Sequence, residues 1–166
     1  MPVKLNDYSI EVKAVLNDVT KQWLKETGLE VAAQAQRGCT LDGPEGTKLR
    51  GSYQSKVNGA EALVGSPLES VYWEEFGTGS HAAHGDGRKG WWVYIKNGET
   101  RSKTGQTYGS QAEAEEAAEF LRKVKHLDAH ATNGRDPNYT LEKAFKSTAP
   151  KAERRLEQML KGGMGG

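Results

Sequence analysis

Cysteine is almost missing from this chain. Cys39 is the single thiol in 166 residues, so no internal disulfide can form and the fold must be held by packing. With nothing beside it to activate a thiolate, Cys39 reads as a small half-buried hydrophobe. An excess of one charge is missing too. Against 22 acidic residues stand 23 basic ones, a formal net charge of +1, which excludes a general electrostatic grip on nucleic acid or an anionic membrane. Long hydrophobic runs are absent: nothing approaches the roughly 18 apolar residues that cross a bilayer. The opening MPVKLNDYSI has no apolar signal-peptide core, so a soluble, non-exported protein is expected. At 36% hydrophobic residues, a chain this long can bury about two-thirds of its unfolded surface. One globular domain over residues 1–160 is expected, with a disordered glycine-rich tail over 161–166.

What is present is a succession of amphipathic segments and turn signals. Val12, Leu16, Val19 and Trp23 recur at intervals of four, three and four, which predicts a long N-terminal helix over about 5–37, interrupted at Gly28. From Lys48 the alternation of Leu49, Gly51, Tyr53, Ser55 and Val57 with polar residues predicts a half-buried strand. Asn58-Gly59 then predicts a type I′ hairpin that pairs Lys56 with Glu61 and Tyr53 with Val64. Ser66, Pro67 and Glu69 read as N-cap, first helical residue and capping-box partner of a short helix ending at Gly77, with Gly79 keeping the exit flexible.

The glycine-rich stretch SHAAHGDGRKG has no period and reads as a mobile loop. It leads into the aromatic strand Trp91–Lys96, and Asn97-Gly98 with ETRSK predicts a second hairpin. Ser110 with Glu113 starts a helix striped by Ala117, Leu121 and Val124 and stopped at Asn133-Gly134. A last helix carries Leu141, Ala144, Phe145, Ala152, Leu156 and Met159 on one face, kinked or restarted at Pro150. The expected class is α+β: a small antiparallel sheet from two β-hairpins, flanked by the long N-terminal helix, the short central helix and C-terminal helices.

Catalytic constellations are hard to find. All four histidines fall in two pairs, His81/His84 in the loop and His126/His130 late in a helix, spacings that can place imidazoles on one metal ion, with Asp86 and Asp128 nearby. Isolated surface histidines are the commoner reading, and no cysteine pair or HExxH strengthens a metal site. No phosphate-loop pattern accompanies the loop glycines. Glu74 and Glu75 point about 100° apart on a helix and do not easily share a substrate, so a solvated or subunit-facing edge is expected for them. Arg88, Lys89, Trp91 and Trp92 interleave basic and aromatic groups as single-stranded nucleic-acid binders do, though a basic loop before a strand explains them as well. No enzymatic activity and no cofactor are expected.

The order of landmarks carries more than any single motif. GTKLRGSY over 46–53, VGSPLESVYWEEFGTG over 64–79, the aromatic strand GWWVY and DPNYTLEKAF over 136–145 come after a long N-terminal helix. In this order they resemble the tail-completion, or head-to-tail joining, minor structural proteins of long-tailed bacteriophages and prophages. Glu75-Phe76-Gly77-Thr78-Gly79 matches that family's signature residue for residue, and Leu49, Arg50 and Ser52 match the strand before it. Two departures stand out: Gly46-Thr47 reverses the usual Thr-Gly, and the segment between His81 and Gly134 is long.

The resemblance implies a non-enzymatic virion protein at the neck or tail, assembled in the host cytoplasm. Copies would form a ring, six-fold by analogy, between the phage connector or stopper and tail-tube or tail-terminator proteins, with no membrane and no sequence-specific nucleic acid as partner. Interface candidates are Tyr72, Trp73, Glu75, Phe76, Gly77, Thr78, Trp91, Trp92 and Tyr94, with the N-terminal helix as the mating face. A metal-dependent hydrolase or nuclease using the two histidine pairs is the alternative from another class.

Overall fold

The computed structural model describes residues 9–96 and 106–163, with side chains from residue 16 onward. The order of elements is α1 (Ser9–Gly38), α2 (Gly43–Ser52), β1 (Gln54–Asn58), β2 (Glu61–Gly65), α3 (Ser70–Phe76), β3 (Thr78–Gly79), β4 (Trp92–Ile95), α4 (Gln111–Lys125), β5 (Ala129–Thr132), β6 (Gly134–Arg135) and α5 (Thr140–Gly163). Strands pair two by two, antiparallel, as β1·β2, β3·β6 and β4·β5, so the fold is α+β. The chain packs as two compact units: one takes the chain up to Val71 and again from Thr140, the other runs from Tyr72 to Tyr139. No helix among the described residues is long and apolar enough to cross a membrane.

In the first unit α1 is one continuous helix straight through Gly28. The glycine is there for space: a side chain at position 28 would overlap the Ser55 hydroxyl and stand 3.4 Å from Ala62, so its absence lets the β1–β2 hairpin lie against the helix. Val31, Ala32, Ala35, Cys39, Leu49, Tyr53 and Ala144 form the core, with Leu41, Val64, Leu68, Val71 and Leu141 packed on it. The buried residues of α5, Thr140, Ala144, Thr148 and Ala152, are small and spaced by four, which lets α5 approach closely. Phe145, expected on that face, is 62% exposed. The Trp23 indole N–H donates to the Ala152 carbonyl at 2.7 Å, and Arg155 pairs with Glu30 at 2.6 Å. Helix α5 continues through Pro150 and on to Gly163, past the residues expected to begin a disordered tail.

The segment 43–52, whose second half reads as strand in sequence, is helix. Leu49 and Tyr53 share a strand face, but they are also four apart on a helix face, so alternation alone could not decide between the two. The helical outcome is fixed by packing. Leu49 is completely buried, and the Arg50 guanidinium donates to the Leu41 carbonyl at 2.8 Å and to that of Cys39 at 3.4 Å. Ser52 bridges onward, its hydroxyl 2.6 Å from that of Ser66. The hairpin forms as expected but two residues out of the expected register: Asn58 pairs with Glu61, Lys56 with Leu63 and Ser55 with Val64. Gly59, with φ +61°, opens a two-residue tip with Ala60, as a type II′ turn requires. A two-residue shift keeps every side chain on its face, so Val57, Ala62 and Val64 still turn inward. Helix α3 starts at Ser70, four residues beyond the expected cap, and the Ser66 hydroxyl instead accepts from the Leu68 N–H at 3.1 Å.

In the second unit the aromatic strand β4 pairs with β5, 92 opposite 132 and 95 opposite 129. The expected return arm ETRSK and its Asn97-Gly98 turn lie outside the described residues. Val93, Ala118 and Ala129 form a small core with Ile95, Tyr108, Ala117 and Leu121. The Ser110–Glu113 capping box starts α4: Ser110 Oγ accepts from the Glu113 N–H at 3.3 Å and Glu113 Oε2 from the Gly109 N–H at 3.0 Å. The helix ends earlier than expected, at a left-handed His126 with φ +53°. Its buried face is Ala114 and Ala118; Val124, expected in the stripe, is 53% exposed. On the solvent face, a hydrogen bond from Lys123 holds the Glu119 carboxyl below the usual glutamate range.

Glycine positions give a direct test of this packing. A side chain at Gly46 would overlap the Leu41 carbonyl, which is main chain and cannot step aside, whereas Gly51 faces open space within the same helix. Gly46→Ala is expected to lower stability by about 1–3 kcal/mol. Gly51→Ala should be neutral or gain up to about 1 kcal/mol through helix propensity. Urea unfolding of the two variants checks both.

Candidate functional site

The signature-like segment 75–79, with Glu74 just before it, is built into a lock with the segment 133–139, wholly within the second unit. Thr78 and Gly79 of β3 pair with Arg135 and Gly134 of β6. Backbone bonds extend the contact on both sides: Ser80 N–H to Asn133 O at 2.8 Å, Asn138 N–H to Glu74 O at 2.9 Å and Tyr139 N–H to Glu75 O at 3.2 Å. Neither Glu74 nor Glu75 lies on the solvated edge expected for them: both are buried within the unit, and the Glu74 carboxylate, fully buried, lies inside this ladder. Its Oε1 accepts from the Asn138 side-chain amide at 2.7 Å and its Oε2 stands 3.0 Å from the Arg135 guanidinium.

The glycines of the signature obey the same geometry. Gly77 closes α3 in the left-handed conformation, φ +72°, its N–H donating to Trp73 O at 3.0 Å. A side chain there would stand 2.6 Å from Arg135 O and 2.8 Å from Pro137 N. Gly79, with φ +62°, lies where a side chain would run into Asn133 O and the Trp92 ring, so close approach, and not a flexible exit, explains it. Tyr139 takes a positive φ of 51° without being glycine, at the point where its N–H meets Glu75.

The lock divides the interface candidates. Glu75 and Gly77 are buried within the unit, while Trp73, Phe76, Thr78, Trp91 and Trp92 are half-buried. Tyr72 and Tyr94 are 48% and 41% exposed. Tyr72, Phe76 and His84 line up as a row of rings, centroids 4.9 and 4.8 Å apart. Trp91 bridges to Tyr108, and Arg88 lies 5.0 Å over the Trp92 ring while donating to Gln106 O at 2.6 Å. Arg88 therefore covers the ring face on which a nucleic-acid base would stack.

The stretch 80–90, expected to be mobile, is held: Ala83 N–H reaches Phe76 O at 2.8 Å, Lys89 Nζ donates to Gly85 O at 3.1 Å, and Gly87 abuts the Gly79 carbonyl so tightly that it has no room for a side chain.

Each histidine has its own set of neighbours. His81 Nδ1 lies 2.7 Å from Asp136 and its Nε2 3.3 Å from Asn133 Oδ1. His84 packs tilted against Phe76, His126 caps α4, and His130 lies on β5, 2.7 Å from Asp128 and stacked on Tyr94 at 5.5 Å. His126 and His130 thus share no helix. Among the described residues no three His, Cys, Asp or Glu side chains are placed to hold one ion. Among the exposed apolar side chains that sequence reasoning missed are Phe120 and Val124 on α4 and Leu127 just beyond its end. Phe120 lies off the stripe, Val124 stands in the last turn of the helix, and Leu127 follows its His126 cap.

If the Glu74–Arg135 pair holds the lock, removing either partner is costly. Arg135→Ala is expected to destabilise by about 2–3 kcal/mol, at or just below the lower limit for a broken buried pair because the guanidinium is 32% exposed. Glu74→Ala should cost as much or more, and the double variant less than the sum, a coupling measurable by denaturation of all four proteins. Comparison with protein-family models, with characterised proteins and with solved structures gives no match for this chain.

Proposed function

We propose that this chain is a non-enzymatic structural subunit of a virion, a tail-completion or head-to-tail joining protein that forms a ring at the phage neck. The motif resemblance over 46–79 and 136–145 is the starting point. The observation that carries the reading further is the ring row of half-exposed Tyr72, half-buried Phe76 and exposed His84, fixed to the locked signature segment. Aromatic side chains on a rigid base, half covered by their own chain, have the composition of an interface core awaiting its partner. In a closed ring each subunit offers two different faces, so such a surface need not match itself. The neighbours along the axis would be connector or stopper proteins on one side and tail-tube or tail-terminator proteins on the other.

Tyr72 separates assembly from folding because it is half exposed. Tyr72→Ala should leave the unfolding midpoint nearly unchanged, as surface substitutions usually stay within about 0.5 kcal/mol. The same variant should abolish joining of heads to tails in a complementation assay, and native mass spectrometry of the unaltered protein should show a concentration-dependent oligomer. A monomer at every concentration, carrying a tightly bound metal ion, would overturn the reading in favour of a metal-dependent hydrolase.

A further inference from the structure

Asn-Gly occurs three times in the chain, at 58–59, 97–98 and 133–134. The middle one lies outside the described residues, and the other two sit in opposite environments. Asn58 is exposed beside the hairpin tip, and a side chain placed on Gly59 would meet nothing within 4 Å beyond its chain neighbours. Asn133 is part of the lock. Its carbonyl accepts from the Ser80 N–H at 2.8 Å, its Oδ1 lies 3.3 Å from His81, and the adjoining Gly134 N–H donates to Thr132 Oγ1 at 3.1 Å. Gly134 is itself pressed against the opposite strand, where a side chain would stand 2.8 Å from the Thr78 carbonyl carbon and 2.9 Å from Gly79 Cα.

We infer that Asn58 is a site of spontaneous modification, converted to aspartate and isoaspartate with water as the co-reactant, and that the fold protects Asn133 from the same reaction. The Gly59 amide nitrogen attacks Asn58 Cγ; the new N–Cγ bond closes a succinimide as the Cγ–Nδ2 bond breaks. Nδ2 leaves as ammonia, taking up the proton released from the attacking nitrogen. Water then opens the ring at Cγ to give aspartate, or at the main-chain carbonyl carbon to give isoaspartate, and no electrons change hands.

The attack needs a glycine nitrogen that can swing over the preceding side chain. At a hairpin tip only local fraying is required, whereas at Gly134 the nitrogen is engaged and the β3·β6 pair must open first. The product matters to the hairpin. A carboxylate at 58 would stand directly opposite Glu61, and isoaspartate would add a main-chain carbon beside the turn, so either form weakens β1·β2 pairing.

The test is peptide mapping by mass spectrometry after holding the full chain in mildly alkaline buffer, once native and once in urea. In the native protein the peptide containing Asn58 should gain the mass of an NH2-to-OH exchange at least about tenfold faster than the peptide containing Asn133, the gap that a modest difference in opening free energy produces. In urea the two rates should converge. Asn58→Gln should remove the mass change from its peptide. Comparable native rates at the two sites, an Asn58 that stays intact while the urea sample converts, or a mass change that persists in Asn58→Gln would each overturn the inference.

Discussion

Burial of one carboxylate governs the second unit. Taking Glu74 fully out of water costs several kcal/mol unless partners replace the solvent, and its partners, Arg135 and Asn138, lie about sixty residues further along the chain. Once those two are in place, the backbone between them must run alongside residues 74–80, and the ladder of main-chain bonds forms in consequence. The glycines are the next consequence. Two segments drawn together by a buried ion pair leave no room for side chains at Gly77, Gly79 and Gly134, all of which take positive φ.

The first unit solves a similar problem with less charge. Small residues spaced by four on α5 and Gly28 on α1 allow close approach, and a few polar side chains then tie irregular segments to the core. Arg50 holds the carbonyls that precede α2, and Ser52 meets Ser66 on the far side of the hairpin. Leu49, Arg50 and Ser52 therefore have a structural reason for their spacing: one fills the core, one caps a loop, one joins two segments.

Much of this was legible in the sequence wherever the signal was local. The long first helix, the Ser110 capping box, the Gly77 cap and the existence of the first hairpin all depend on residues within a turn or two of one another. Signals that two periods share were not decisive, and Leu49 with Tyr53 satisfies both strand and helix. The hairpin register turned on whether Gly59 takes the first or the second place in the turn, a choice that Asn-Gly alone leaves open. Long-range pairings were invisible: nothing in GWWVY names residues 129–132 as its partner, and nothing in EEFGTG names 133–139. The histidines misled for the same reason. Regular spacing implied a shared helix, but α4 ends at His126 and puts His130 on a strand.

A signature made of lock residues carries information about geometry before it carries information about chemistry. Glu75 and Gly77 are buried, and the glycines are there because two main chains touch. What a lock of this kind offers the surface is rigidity: it fixes the end of α3, and with it the angle at which Tyr72 and Phe76 leave the backbone. A surface aromatic held in one orientation loses little conformational entropy when it is covered, which lowers the cost of association. The buried half of the motif and the rings beside it are therefore one device, in which interior ion pairing sets the orientation of side chains nearer the surface.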